Sequence, residues 1–94
     1  MIQSFADKDV EALFREGKRA RRFAAIANVA ERKLAQINSA RTLADLAAIP
    51  GNRFEQLKGG RHGECSIRIN DQFRCVFQWH RDGPHDVNIE DYHS

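Results

Sequence analysis

Close to its C-terminus the chain carries Asp91, Tyr92 and His93 in succession, a carboxylate, a phenol and an imidazole at the end of what reads as a β-strand. Imidazole is the side chain best suited to moving a proton near neutral pH, and a tyrosine ring stacks on a nucleobase while its hydroxyl stays available. At a frayed, solvated terminus the same residues would do nothing. What gives them weight is the cationic stretch before them. Residues 51–81 hold Arg53, Lys58, Arg61, Arg68, Arg74 and Arg81 against Glu55, Glu64 and Asp71, a local excess of +3. Arginine presents a planar fork of donors that grips phosphate oxygens in pairs, so a basic sheet face beside the loop Lys58-Gly59-Gly60-Arg61-His62-Gly63 suits a sugar–phosphate backbone. Ordinary surface ion pairs would account for the same composition.

Whether the arginines gather on one side depends on a single turn. If Asn70-Asp71-Gln72 is a three-residue loop, Ile69 faces Phe73 and Arg68 faces Arg74, with both arginines on one side of the sheet. Ile67, Ile69, Phe73, Cys75 and Phe77 then cover the other side. A two-residue turn would destroy that alternation. The three-residue register is the expectation, and it predicts an apolar inner face, a cationic outer face and an Arg68–Arg74 repulsion that an anion would relieve.

Other chemistries find less support. His62, His80, His85 and His93 show no ligand-type spacing with a cysteine partner, so no metal site is expected. Cys65 and Cys75 fit neither a metal box nor a disulfide scaffold and read as free thiols, small apolar residues within a sheet.

Several elements must position these groups. Ile2 to Phe5 has the makings of a brief strand, and Asp7 is a helix N-cap ahead of Val10, Leu13 and Phe14, with Gly17 as the stop. Residues 19–40 place Phe23, Ile26, Val29, Ala30, Leu34 and Ile37 on one stripe of a long helix, with Arg22, Glu31, Arg32 and Lys33 on its other face. Thr42 caps a third, short helix, which Pro50-Gly51-Asn52 ends. Beyond Pro50 the period changes to two, predicting strands over 54–57, 65–69, 73–79 and 87–92, the last after a turn at Asp82-Gly83-Pro84. Helices followed by hairpin-connected strands define an α+β fold with the helices on one face of a small antiparallel sheet.

With 94 residues, 41% hydrophobic and 30% charged, the chain has the size of one domain spanning 1–94, and a core too small for an enclosed cofactor. The net charge of +2 does not by itself demand a polyanion. No stretch approaches the roughly 18–20 apolar residues of a membrane span, and the N-terminus lacks the layout of a signal peptide. The expectation is a cytoplasmic protein with no membrane partner and no cofactor.

Taken together, Met1-Ile2-Gln3-Ser4-Phe5, Ala30-Glu31-Arg32-Lys33-Leu34, the run Pro50-Gly51-Asn52-Arg53-Phe54-Glu55-Gln56-Leu57-Lys58-Gly59, the hairpin Ser66-Ile67-Arg68-Ile69-Asn70-Asp71-Gln72-Phe73-Arg74 and the ending Val87-Asn88-Ile89-Glu90-Asp91-Tyr92-His93 resemble the HigB-type toxins. These are the plasmid-maintenance killer proteins of the RelE/ParE superfamily, and the resemblance runs in order along essentially the whole chain. It implies a RelE-like α+β toxin of a type II toxin–antitoxin system that enters the ribosomal A site and cuts mRNA, inhibiting translation. The implied partners are a HigA-type helix-turn-helix antitoxin, the ribosome and mRNA, with operator DNA reached only through the antitoxin.

Carried over by position, the catalytic ending corresponds to Asp91, Tyr92 and His93, and the basic positions to Lys58 and Arg74, with Arg68 on the neighbouring strand. Where some relatives have a histidine before the Leu-Lys-Gly run, this chain has Glu55. The implied reaction is a hydrolase-type, metal-independent endoribonuclease step in which a 2′-hydroxyl attacks the adjacent phosphate. It needs a base (Asp91 or Glu55), an acid (His93), and cations at the phosphate (Arg74, Arg68, Lys58), with Tyr92 orienting the nucleobase; Arg61 and Arg53 complete the expected RNA-binding set. Two rival readings share the fold: a ParE-like toxin that acts by binding gyrase, and a catalytically weakened module that binds RNA or antitoxin.

Overall fold

The computed structural model describes residues 1–92. Helix α1 spans Lys8–Glu16; the Asp7 carboxylate accepts from the backbone N–H groups of Asp9 and Val10, and Gly17, at φ 68°, ends it in the left-handed region. Helix α2 spans Ala27–Ser39 and α3 spans Leu43–Ala47, the latter begun by a reciprocal capping box between Thr42 and Asp45. Strands β1 (Glu55–Gln56), β2 (Glu64–Arg68), β3 (Phe73–His80) and β4 (Gly83–Asp91) form one antiparallel sheet in the order β1-β2-β3-β4. The arrangement is α+β, with the helices on one sheet face.

Four expected features differ. The long helix over 19–40 is broken: Arg21–Phe23 forms a 3-10 turn, and Ile26, at φ −114° and ψ 0°, precedes α2. A spacing of three is common to both helix types, and here the turn drives Phe23 and Ile26 together into the core, 1% and 5% exposed. The strand expected over residues 54–57 shrinks to two residues in β1, and the one expected at the N-terminus to a parallel bridge of Phe5 with Val87. The last hairpin turns at Arg81-Asp82, so Gly83 and Pro84 belong to β4.

The β2–β3 register is the one the three-residue loop predicts, with Ile67 opposite Cys75 and Arg68 opposite Arg74. Ile67, Ile69, Cys75 and Phe77 meet Leu13, Ala30, Leu34 and Ile37 in the core. Between β3 and β4 the register slips at Val76/Gln78, where Asp86 adopts a positive φ of 53°. This bulge inserts one extra residue, so His85, on one side of it, and Val87 and Ile89, on the other, face opposite sides of the sheet despite their even spacing.

Lys33 is buried at 6% exposure instead of lying on the solvent face of α2. Its ammonium donates to the side-chain oxygen of Asn52, itself fully buried. The Asn52 amide nitrogen donates to Gln36 Oε1 at 3.0 Å and to the Leu46 carbonyl at 3.1 Å, and its backbone carbonyl accepts from Arg68 N at 2.6 Å. One residue, through its side chain and its backbone carbonyl, thus ties α2 and the end of α3 to the end of β2.

Truncating Asn52 to Ala leaves a buried ammonium and a buried carbonyl unpaired, and the expected loss is about 3 kcal/mol or more. Phe77→Ala, which opens a core cavity, is expected to cost about 3–5 kcal/mol. Denaturant midpoints for both variants check these values; an unchanged midpoint for Phe77→Ala would place that ring outside the core.

Candidate active site

The sheet face turned away from the helices is organised around Arg74. Alternation along β2 and β3 sends Ser66, Arg68, Arg74 and Val76 to this side. Arg74 is only 8% exposed. Its Nε donates to Ser66 Oγ at 2.9 Å, an Nη2 hydrogen is received by the Arg53 carbonyl, and Nη1 lies 3.4 Å from a Glu55 carboxylate oxygen. The Tyr92 ring sits against the guanidinium, its centroid 5.6 Å away. Glu55 and Tyr92 are exposed, so Arg74 is a fixed cation walled by two accessible functional groups.

The repulsion expected of the Arg68–Arg74 pair is cancelled within the chain. Arg68 is bonded to Asp71 at 2.6 Å and Arg74 faces Glu55. Nor is the outer face uniformly cationic, since Val76 and Ser66 are buried there.

A second feature of this face was not foreseen from the sequence. Arg61, in the 3-10 turn Gly59–Arg61, forms two bonds to Glu90, at 2.7 and 2.6 Å, and two to Glu64, at 3.2 and 2.7 Å. Glu90 stands opposite Arg74, and Glu64 lies two residues from Ser66 along β2, so the guanidinium bridges strands β2 and β4 across Val76. The bonded carboxylates raise the pKa of Arg61, and bonding to Arg61 holds Glu64 below the usual carboxylate range. Only the bulge-shifted β3–β4 register puts Glu90 beside Arg74, and no pattern of residue types reveals a bulge.

The remaining expected site residues separate. Asp91 pairs with Phe73, and strand alternation sends it to the face opposite Arg74; its carboxylate accepts from Gln72 Nε2 at 2.9 Å. Arg53, at φ 45°, contributes its carbonyl to Arg74 and leaves its side chain exposed. Lys58 lines an open cleft of about 500 Å³ with Leu43, His62, Cys65 and Trp79. His93 lies outside the described residues. Both cysteines are buried and free, and burial pushes the Cys75 thiol up to about 12, which suits an apolar role. Among the described residues no helix is long and apolar enough to cross a membrane.

Comparison with known proteins converges on one group. The HigB-like toxin family, described as the RelE-like toxin of the type II toxin–antitoxin system HigB, matches residues 3–93. Toxin HigB-1 of Vibrio cholerae is 44% identical over 80 residues, covering 84% of this chain and 84% of that protein.

The Arg61 bridge carries a pH signature. Because the folded pKa of Glu64 is depressed, its contribution to stability is present above the ordinary value near 4.5 and is lost as pH falls through the lowered folded value. Arg61→Gln is therefore expected to lower stability by about 1 kcal/mol at neutral pH, the pair being partly solvated. Thermal unfolding as a function of pH checks this: the gap between wild type and variant narrows as the solution is acidified below pH 4.5.

Proposed function

Since the chain belongs to the HigB-like family of RelE-like toxins of type II toxin–antitoxin systems, we propose that it is a ribosome-dependent mRNA endoribonuclease acting from the Arg74 face of its sheet. The observation that carries this reading is the buried Arg74 held between Glu55, Ser66 and the Arg53 carbonyl with Tyr92 beside it. A guanidinium anchored in this way needs no reordering to stabilise charge that develops on a phosphate.

In the proposed reaction, the 2′-oxygen of one nucleotide attacks its own 3′-phosphorus and its proton passes to a base. The P–O bond to the next nucleotide's 5′-oxygen breaks, leaving a 2′,3′-cyclic phosphate and a 5′-hydroxyl. Glu55 is assigned as the base, because it shares the face with Arg74 while Asp91 does not. Arg74 stabilises the phosphorane, and Tyr92 stacks on a nucleobase. His93, next in the chain, is assigned as the acid that protonates the leaving oxygen. Arg68, Arg53 and Lys58 are assigned to flanking phosphates. Arg61 serves first to hold the loop before β2, through Glu64 and Glu90, and reaches RNA at its remaining exposed edge. The whole span 1–94 acts as one toxin unit in the cytoplasm, restrained by a HigA-type antitoxin that in turn carries the complex to operator DNA.

Arg74 is too buried for Arg74→Ala to be a clean probe, and Arg74→Lys keeps a cation while removing the fork. Arg74→Lys, Glu55→Gln and His93→Ala are each expected to lower mRNA cleavage on programmed ribosomes by about 10²–10⁴-fold, with thermal unfolding little changed for Glu55→Gln. Naked RNA is expected to be cut poorly, because a shallow face must then order the substrate at its own entropic cost, and cutting is expected to weaken as salt rises. Gyrase inhibition without RNA cleavage, or full activity in all three variants, would overturn the assignment.

A further inference from the structure

We propose that the tip of the β3–β4 hairpin binds a divalent cation of the zinc, nickel or cobalt kind through His80, Asp82 and His85. Linear spacing argues against such a site, but the fold assembles one. His80 ends β3, Asp82 lies in the turn, and His85 pairs with Gln78 two positions back along the ladder, which makes the two histidines diagonal neighbours across the strands. His80 shares the outer face with Arg74 and Gln78 by alternation along β3, and His85 faces the same way because the tight turn pairs it with Gln78, on the turn side of the bulge at Asp86.

Each of the three residues offers one ligand atom, and those atoms all lie within 4.8 Å of one another. Donors bound to a tetrahedral zinc at ordinary lengths stand about 3.4 Å apart, so small side-chain adjustments close the set. The imidazoles are already stacked, with centroids 4.2 Å apart and planes 22° from parallel. His85 Nε2 sits 2.6 Å from Asp82 Oδ1, and His80 Nε2 sits 3.0 Å from Gln78 Oε1, so each ring is already oriented by an oxygen. Two imidazoles and a carboxylate favour the borderline first-row metals over magnesium or calcium, which prefer all-oxygen shells. The remaining position falls to water or to the Gln78 amide oxygen.

The site is separate from the proposed phosphoryl chemistry, since His80 lies six residue steps along β3 from Arg74, about 20 Å of extended strand. A bound ion would instead brace the hairpin turn to which Gln3 donates at the Asp82 carbonyl, 3.0 Å away. The proposal therefore stands or falls independently of RNA cleavage.

The test is titration of the untagged chain with Zn²⁺ by calorimetry and with Co²⁺ by visible absorption. Saturable one-to-one binding is expected, with cobalt ligand-field bands and a zinc-dependent rise in Tm. His80→Ala and His85→Ala are each expected to weaken binding by more than about 10-fold, and His62→Ala to leave it unchanged. The ligands are exposed or half-buried, so the variants should unfold at the wild-type temperature in EDTA. Absence of saturable binding, or binding undiminished in the variant lacking both His80 and His85, would overturn the proposal.

Discussion

The buried residue Asn52 is where the two layers of this protein are joined. Its oxygen receives the Lys33 ammonium, its nitrogen serves Gln36 and the open end of α3 through the Leu46 carbonyl, and its backbone carbonyl takes the Arg68 N–H. Burial pushes the Lys33 pKa down, as expected of a cation removed from water, and a buried ammonium is tolerated only where it is paired. The next residue continues the link: Arg53, in the left-handed region at φ 45°, turns its carbonyl to Arg74. Two consecutive residues thus carry the position of the helices through to the guanidinium at the centre of the candidate site.

The site's electrostatics are settled by pairs of unequal exposure. Arg74 is buried and its Glu55 partner is half open to solvent; Arg68 is partly covered and the Asp71 side chain is exposed. An exposed carboxylate is weakly held by its cation, because water screens it. In the proposed reaction an incoming phosphate would therefore displace little at Arg74, whereas the guanidinium itself stays anchored by Ser66 and Arg53. The Arg61 bridge differs, since its two carboxylates are both largely shielded and the guanidinium is shared between them. It is built to hold a loop in place, and the loop it holds precedes the strand that carries Ser66.

Residue type and local spacing determined a good deal. The caps at Asp7 and Thr42 and the stop at Gly17 are local hydrogen-bonding events, and the β2–β3 register follows from a turn three residues long. Those features, together with the apolar alternation of Ile67, Cys75 and Phe77, made the α+β fold and the facing Arg68 and Arg74 legible. The family resemblance pointed to Glu55 and Tyr92 in the same way.

Tertiary structure decided the rest. Phe23 and Ile26 satisfy the spacing of one long helix, yet packing breaks it, because a period of three is shared by both helix types. Lys33 reads as a surface residue until a buried amide nineteen positions later receives it. A bulge at Asp86 changes the facing of every residue beyond it on β4, and so decides that Glu90 meets Arg61 and that Asp91 leaves the Arg74 face, while the turn at Arg81-Asp82 decides that His85 joins His80. Strand parity is a property of the pairing and not of the residues, so a single inserted position, invisible in composition and period, sets which side chains can meet.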